Sequence, residues 1–374
     1  MKKISIISAL FAVLAIFTAC SSDNDSNPTF RQPETFVLNT PALAGNTYDL
    51  AHCDYVELTC TQPDYGYTAA VTYSVEISFN ADMTASAILP TSYTTAKMNV
   101  NAEEMAVAAT QLKVDAGVLE DQFPIDAPLY IRLNAELGNG LGKVSSNVIC
   151  LQNVHLEFSL PAVTLPEKVY AIGGFCGWNW DNAPKMAMVN GATNTFWHMV
   201  YMGDGQGVKF NTHTAWDGGE VGYDQCTVND LAGAGVKSDG GNFSADNAGW
   251  YLAVVRLTLV GRDIMYDVTF QKPEVWLMGP VSGGWDECKP EALFTVPSTM
   301  DGEFVSPAFL EGVVGDPGVR AHIKIDGYDW WKTEFMVFDG KIEYRGNGGD
   351  QERVSGDAGQ KLYLNFATDK GRIE

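Results

Sequence analysis

Nine tryptophans lie along the chain, several of them where an indole is poorly placed for burial. Trp178 and Trp180 follow a glycine-bounded turn, Gly173-Gly-Phe-Cys-Gly177. Lys209 stands in a strand-like run, and Trp216 comes soon after it in a loop rich in Asp and Gly. Later, Trp285 follows Gly284, and Lys324-Ile-Asp-Gly-Tyr-Asp-Trp330-Trp331-Lys332 repeats the lysine-then-tryptophan order ahead of Tyr344-Arg345. Flat aromatics in exposed loops suit sugars, because the axial C–H face of a pyranose is apolar and stacks on a ring. The hydroxyls then need directed donors and acceptors of the kind Lys, Arg and Asp supply. The candidate contacts are Trp178, Trp180, Lys209, Trp216 and Tyr223 in the first cluster. In the second they are Trp285, Lys324, Trp330, Trp331, Lys332, Tyr344 and Arg345. Trp197, Trp250 and Trp276 sit inside apolar runs and are expected in the core.

Cleaving a glycosidic bond would need two carboxylates placed across it. Asp217, Glu220, Asp329 and Glu334 lie near the candidate loops, but among 46 acidic residues some fall near any site. No Gly-x-Ser-x-Gly elbow, phosphate loop or dinucleotide fingerprint occurs. The five histidines include no H-x-x-x-H pair. Gly346-Asn-Gly-Gly349 is not followed by a helical pattern and reads as a hairpin turn. Binding without catalysis is expected, with no metal and no cofactor.

These residues must be positioned by β structure. The chain carries 37 glycines, 15 tyrosines, 18 phenylalanines and a 46% hydrophobic content, a composition of many short strands and tight turns. A net charge of −22 argues against nucleic acid and against an anionic membrane surface. The C-terminal part contains a duplication. Val169-Tyr-Ala-Ile-Gly-Gly recurs as Val275-Trp-Leu-Met-Gly-Pro, Gly177-Trp178 as Gly284-Trp285, Val208-Lys209-Phe as Ile323-Lys324-Ile, and Asp246-Asn-Ala-Gly249 as Asp357-Ala-Gly359. Two tandem β domains, residues 165–271 and 274–374, are expected, joined by a Gln271-Lys272-Pro273 linker too short for free movement.

Upstream, residues 34–158 alternate as half-buried strands do, with Tyr73, Val75, Ile77 and Phe79 in one run and Leu129, Ile131, Leu133, Ala135 and Leu137 in another. Asn101 with Glu104 marks a helix start, followed by an apolar stripe at Met105, Ala108, Ala109 and Leu112. An immunoglobulin-like or fibronectin-like sandwich acting as spacer is the expectation. The first twenty residues are an address. Lys2 and Lys3 precede an apolar run that ends in Thr18-Ala19-Cys20, too short for a membrane span and shaped like a bacterial lipoprotein leader. Residues 1–19 would be removed, Cys20 lipidated, and residues 20–33 left as an acidic flexible tether. The remaining cysteines, Cys53, Cys60, Cys150, Cys176, Cys226 and Cys288, form no C-x-x-C pair.

Lipoprotein leader, N-terminal sandwich and two Trp/Lys-bearing β repeats together resemble the SusE/SusF family of outer-membrane starch-binding lipoproteins of the starch utilisation system. Two binding repeats place the resemblance on the SusE side of that family. It implies an all-β chain: an immunoglobulin-like domain followed by two carbohydrate-binding-module-like sandwiches without catalytic activity. It further implies starch or a related glucan as ligand and a lipid anchor in the outer membrane, facing the exterior. A TonB-dependent transporter and companion glycan-binding lipoproteins would be its partners. Carried over, the ligand contacts are Trp178, Lys209 and Trp216 in one repeat, and Trp285, Lys324, Trp330 or Trp331, and Arg345 in the other. The first repeat lacks counterparts to Trp331, Lys332 and Arg345, and the second is expected to bind more strongly.

Overall fold

The computed structural model describes residues 29–374 except 139 and 204. The leader, Cys20 and most of the tether lie outside the described residues. Two compact units divide the chain, one ending at Ala162 and the other running from Val163 to Glu374.

The N-terminal unit is a two-sheet sandwich. Strands Leu38–Asn39, Tyr55–Cys60 and Lys97–Asn101 form the smaller sheet. The larger one runs Thr47–Asp49, Ile149–Leu156, Ile125–Leu137, Val71–Ser78 and Ser86–Tyr93. Both alternating runs are strands, paired antiparallel with Val75 opposite Leu133, and their apolar residues are buried. Phe79 falls just beyond its strand, which ends at Ser78. The helix is Ala102–Asp115, and Asn101 caps it by accepting the Glu104 N–H at 2.9 Å. On the face expected to be polar, Glu76 is buried, because Arg132, Asn134 and Ser86 all bond its carboxylate. A buried charge is tolerated when it is paired in this way.

In the second unit the first repeat has two sheets. One orders Tyr170–Gly173, Val208–Asn211, Asn242–Ala245 and Val236–Asp239. The other orders Ala187–Met188, Thr195–Met202, Gly249–Val260, Asp263–Gln271 and Thr227–Asp230. The second repeat pairs its strands continuously into one seven-stranded sheet from Trp276–Met278 to Phe304–Val305. One apolar core spans both repeats. Trp197, Trp250 and Trp276 are buried as expected, and the first two also face the neighbouring repeat. Trp250 meets Phe304 at 5.7 Å, and Trp197 meets Tyr344 edge-on at 5.1 Å. His198 Nε2 and the Tyr344 hydroxyl converge on Asp369, at 3.1 and 2.7 Å. The six described cysteines are free thiols. Among the described residues no helix is long and apolar enough to cross a membrane, and no cluster of metal-ligating side chains occurs.

Candidate functional site

In the first repeat, strand Tyr170–Gly173 lies antiparallel to Val208–Asn211, with Ile172 opposite Lys209. Strand pairing therefore sets the lysine strand beside the Gly-Trp turn. That turn is a single 3₁₀ turn, Gly174–Cys176, closed by Gly177 in the left-handed region. Trp178 follows at φ 56°, also left-handed, a conformation that costs a bulky residue about 1–2 kcal/mol. Its N–H donates to the Gly173 carbonyl at 2.9 Å. So held, its ring lies 6.3 Å from that of Trp216, with the planes inclined by 31°. Trp216 is 56% exposed. Its loop is tied beneath it: Asn211 donates to the Ala215 carbonyl and to Asp217, each at 3.1 Å. Tyr223 is half-buried, edge-on to Phe243, and the Lys209 stem runs close by, against Gly222.

The second repeat rebuilds the pair. Trp285, 48% exposed, and Trp330 have ring centroids 5.5 Å apart and planes inclined by 35°. The turn before Trp285 is Pro280–Ser282, again closed by a left-handed glycine, Gly283. Here the Gly284 N–H, and not the tryptophan's, returns to Gly279 at 3.0 Å. By backbone bonding Trp178 therefore corresponds to Gly284, and the two tryptophans hang from neighbouring positions of the same turn. Sequence matching of Gly-Trp with Gly-Trp was one residue out of step with the turn. Lys324 donates to Glu287 at 2.5 Å and to the Tyr328 carbonyl at 3.2 Å. The other Glu287 oxygen accepts the Trp330 N–H at 3.0 Å. Burial works to raise the Glu287 pKa, but the Lys324 ammonium and the Trp330 N–H outweigh it and hold the carboxyl below its ordinary range.

Trp331 and Lys332 continue the same 3₁₀ turn, Trp330–Lys332, but do not join the Trp285–Trp330 pair. The Trp331 ring takes the Arg345 guanidinium at 4.8 Å and the Lys332 ammonium at 5.4 Å. Arg345 bonds Glu334 at 2.5 Å, and Arg320 bonds the other Glu334 oxygen at 2.8 Å. Arg320 in turn lies 5.8 Å from Trp285 and 5.7 Å from Trp330. An Arg–Glu–Arg chain centred on the buried Glu334 thus joins the indole pair to the Trp331 cluster.

Two expected contacts face away from the rings' open side. Trp180 is 9% exposed and packs edge-on behind Trp216 at 5.2 Å, because the chain re-enters the core through the turn Trp180–Asn182. Tyr344 is committed to the junction between repeats by Asp369 and Trp197. The weighed carboxylates make no acid–base pair. Glu334 has a fully buried side chain taken by two guanidinium groups. Asp217 is bonded by the Gly219 N–H and by Asn211, which hold its carboxyl below the usual range. Glu287, Arg320 and Asn211 were not singled out from sequence. Only the repetition of the Gly-Trp turn pointed near Glu287, two residues beyond Trp285, and nothing in linear spacing ties it to Lys324.

Residues 168–267 and 274–372 each match the family described as SusF/SusE starch specific CBMs. The chain belongs to the SusF/SusE family. Residues 23–134 match the family described as SusE outer membrane protein, and the protein is an outer-membrane protein of this group. Outer membrane protein SusF of Bacteroides thetaiotaomicron is 42% identical over 229 residues, 58% of this chain and 45% of that protein. The chain thus matches less than half the length of this curated relative. The crystal structure of SusF from Bacteroides thetaiotaomicron is similar across 91% of this chain and 99% of that chain, with 25% identity and a TM-score of 0.45. Carbohydrate-binding modules hold sugars without cleaving them.

Proposed function

We propose that the protein captures starch or a related α-glucan at the outer face of the outer membrane, anchored by lipid on Cys20, and passes the polymer toward uptake. The observation that carries the reading is the repeated indole pair. Two partly exposed rings inclined by 31° in one repeat and 35° in the other form a shallow angled surface. Such a surface suits successive glucose rings of a curved chain better than a flat one. Lys209 and Lys324 donate N–H bonds to the sugar hydroxyls at the two sites, and Lys332 and Arg345, with Trp331, widen the second. Trp178 and Trp216, with Tyr223 at the flank, form the first site, and Trp285 and Trp330 the centre of the second. A TonB-dependent transporter and companion glycan-binding lipoproteins are the proposed partners.

Affinity electrophoresis of the chain beginning after Cys20 tests this. Amylopectin in the gel should retard the protein, while xylan, pectin and polymer-free gels should not, and no reducing ends should be released from starch. Migration indifferent to amylopectin, or equal retardation by xylan or pectin, overturns the assignment of the ligand.

A further inference from the structure

The Gly346-Asn-Gly-Gly349 turn does more than reverse the chain. Its carbonyls at Gly346 and Gly348 both accept from the side-chain amide of Asn190, at 2.8 and 2.9 Å. Asn347 Oδ1 accepts the Gly191 N–H at 3.1 Å. Asn190 belongs to the first repeat, in the turn between Ala187–Met188 and Thr195–Met202. Its own backbone N–H donates to the Lys332 carbonyl at 3.0 Å. A single residue of one repeat therefore ties together the two loops of the other that carry Trp331-Lys332 and Arg345. Thr195 Oγ1, 3.5 Å from the Tyr328 hydroxyl, adds a second tie to the same aromatic loop.

We infer that Asn190 is a positioning residue for the second platform, so that the first repeat completes the second repeat's sugar site. The inference rests on the glucan reading of that platform. Both loops are glycine-bearing, and glycine gives up more conformational freedom than any other residue when it is fixed. Loops left free in the unbound protein would have to be ordered at the moment of binding, which subtracts from affinity. Asn190 orders them in advance. Its two amide protons match the two carbonyls, so both donors are used. The first platform has no part in this contact: its loop is closed within its own repeat by Asn211.

The test uses the chain beginning after Cys20, titrated with maltoheptaose. Trp216→Ala silences the first platform and isolates the second; Trp330→Ala does the reverse. Adding Asn190→Ala should weaken the second platform about tenfold, as expected for losing two such bonds at roughly a factor of three each. The first platform should be unchanged. Without sugar, the Trp331 indole N–H resonance should shift or broaden, because the Arg345 guanidinium that covers its ring stands at the loop that has lost the Asn190 side-chain tether. Asn347→Ala, which removes only the Gly191 tie, should act in the same direction but more weakly, and serves if Asn190→Ala folds poorly. Unchanged affinity at the second platform, or equal weakening of both, overturns the inference. If neither background binds the oligosaccharide, the glucan reading fails on its own. The indole resonance then decides the brace, and an unmoved signal overturns it.

Discussion

Glu287 holds Lys324 with one carboxylate oxygen at 2.5 Å and the backbone N–H of Trp330 with the other at 3.0 Å. One acid thus fixes both the cation and the ring of the second platform relative to the turn that carries Trp285. Exchanging it for Gln keeps the shape but loses charge-assisted bonding, which is roughly twice as strong as neutral bonding. Glu287→Gln should weaken oligosaccharide binding at the second platform about three- to tenfold. The same bridge sets a pH window. The Glu287 pKa is lowered in the fold, so its contribution is whole above the ordinary value near 4.5 and fades as pH falls through the lowered one. The bond to Glu287 raises the Lys324 pKa above 10.5, so on that side the contribution is whole below the ordinary value and lost as pH rises through the raised one. Calorimetric titration from about pH 3 to 9 should therefore show flat affinity from neutrality down to about pH 4.5 and a decline below.

The indole pairs give the second expectation. Removing one ring from a shallow stacking site should cost about 1–3 kcal/mol, by analogy with bases stacked on aromatics. Trp285→Ala or Trp330→Ala should therefore reduce retardation in amylopectin gels, and Trp216→Ala should reduce it less. Trp216→Ala with Trp330→Ala should abolish it, since two linked sites on one polymer otherwise compensate through effective concentration. Trp180→Ala should act through stability and not through direct contact, lowering the melting temperature as well as the affinity. Retardation by the Trp216→Ala, Trp330→Ala double variant equal to the parent would place the binding elsewhere.

Much of this arrangement was legible in the sequence because it is repeated. The duplication exposed the Gly-Trp turn and the lysine–tryptophan order, and their place inside apolar, strand-like runs marked Trp197, Trp250 and Trp276 as interior. Two kinds of feature were not legible. Trp180 and Tyr344 carry the residue type and loop context of a sugar contact, yet only packing shows that one backs Trp216 and the other faces Asp369 across the junction. Glu287, Arg320 and Asn190 act on residues far away in the chain, through pairings that the fold alone creates. The one-residue shift between the two Gly-Trp turns has the same origin. An inserted glycine moves the tryptophan along the backbone, and the ring still reaches its partner.

Beneath Trp330 lies a buried histidine. His322 stacks on Trp276 at 5.7 Å and meets Trp330 edge-on at 6.3 Å, and burial pushes its pKa down to about 4 from an ordinary 6.5. The unfolded chain therefore binds a proton more readily than the folded one. Stability from this residue is whole above about pH 6.5 and falls as pH drops toward 4, by up to roughly 3 kcal/mol. Melting temperatures across this range should decline for the parent and decline less for His322→Gln. Parallel curves would show that His322 does not set the acid sensitivity.

The proposed attachment through Cys20 is tested separately from binding. Two or three acyl chains give stable anchoring where a single chain is marginal. Cys20→Ala should abolish metabolic lipid labelling and remove the protein from the outer-membrane fraction, while the purified variant still migrates slowly in amylopectin. Labelling that persists would exclude this cysteine as the acceptor.

The junction between repeats bears on how the second platform can be studied in isolation. Phe304 lies against Trp250, Phe335 and Tyr344 against Trp197, and Phe366 against His198. Cutting at the Gln271-Lys272-Pro273 linker would bare these rings in the second repeat. With about 1.5–3 kcal/mol gained for each large apolar side chain fully buried, partial exposure of four should cost on the order of 3–6 kcal/mol. That is a large share of what holds a domain of this size. Residues 163–374 should unfold in one cooperative transition and bind oligosaccharide at both platforms. Residues 274–374 alone should melt lower, bind a hydrophobic dye and self-associate, and their second platform should also lack the ties from Asn190 and Thr195. Equal thermal stability of the short and long fragments, with equal affinity at the second platform, would show the repeats to be independent and the shared core to be energetically idle.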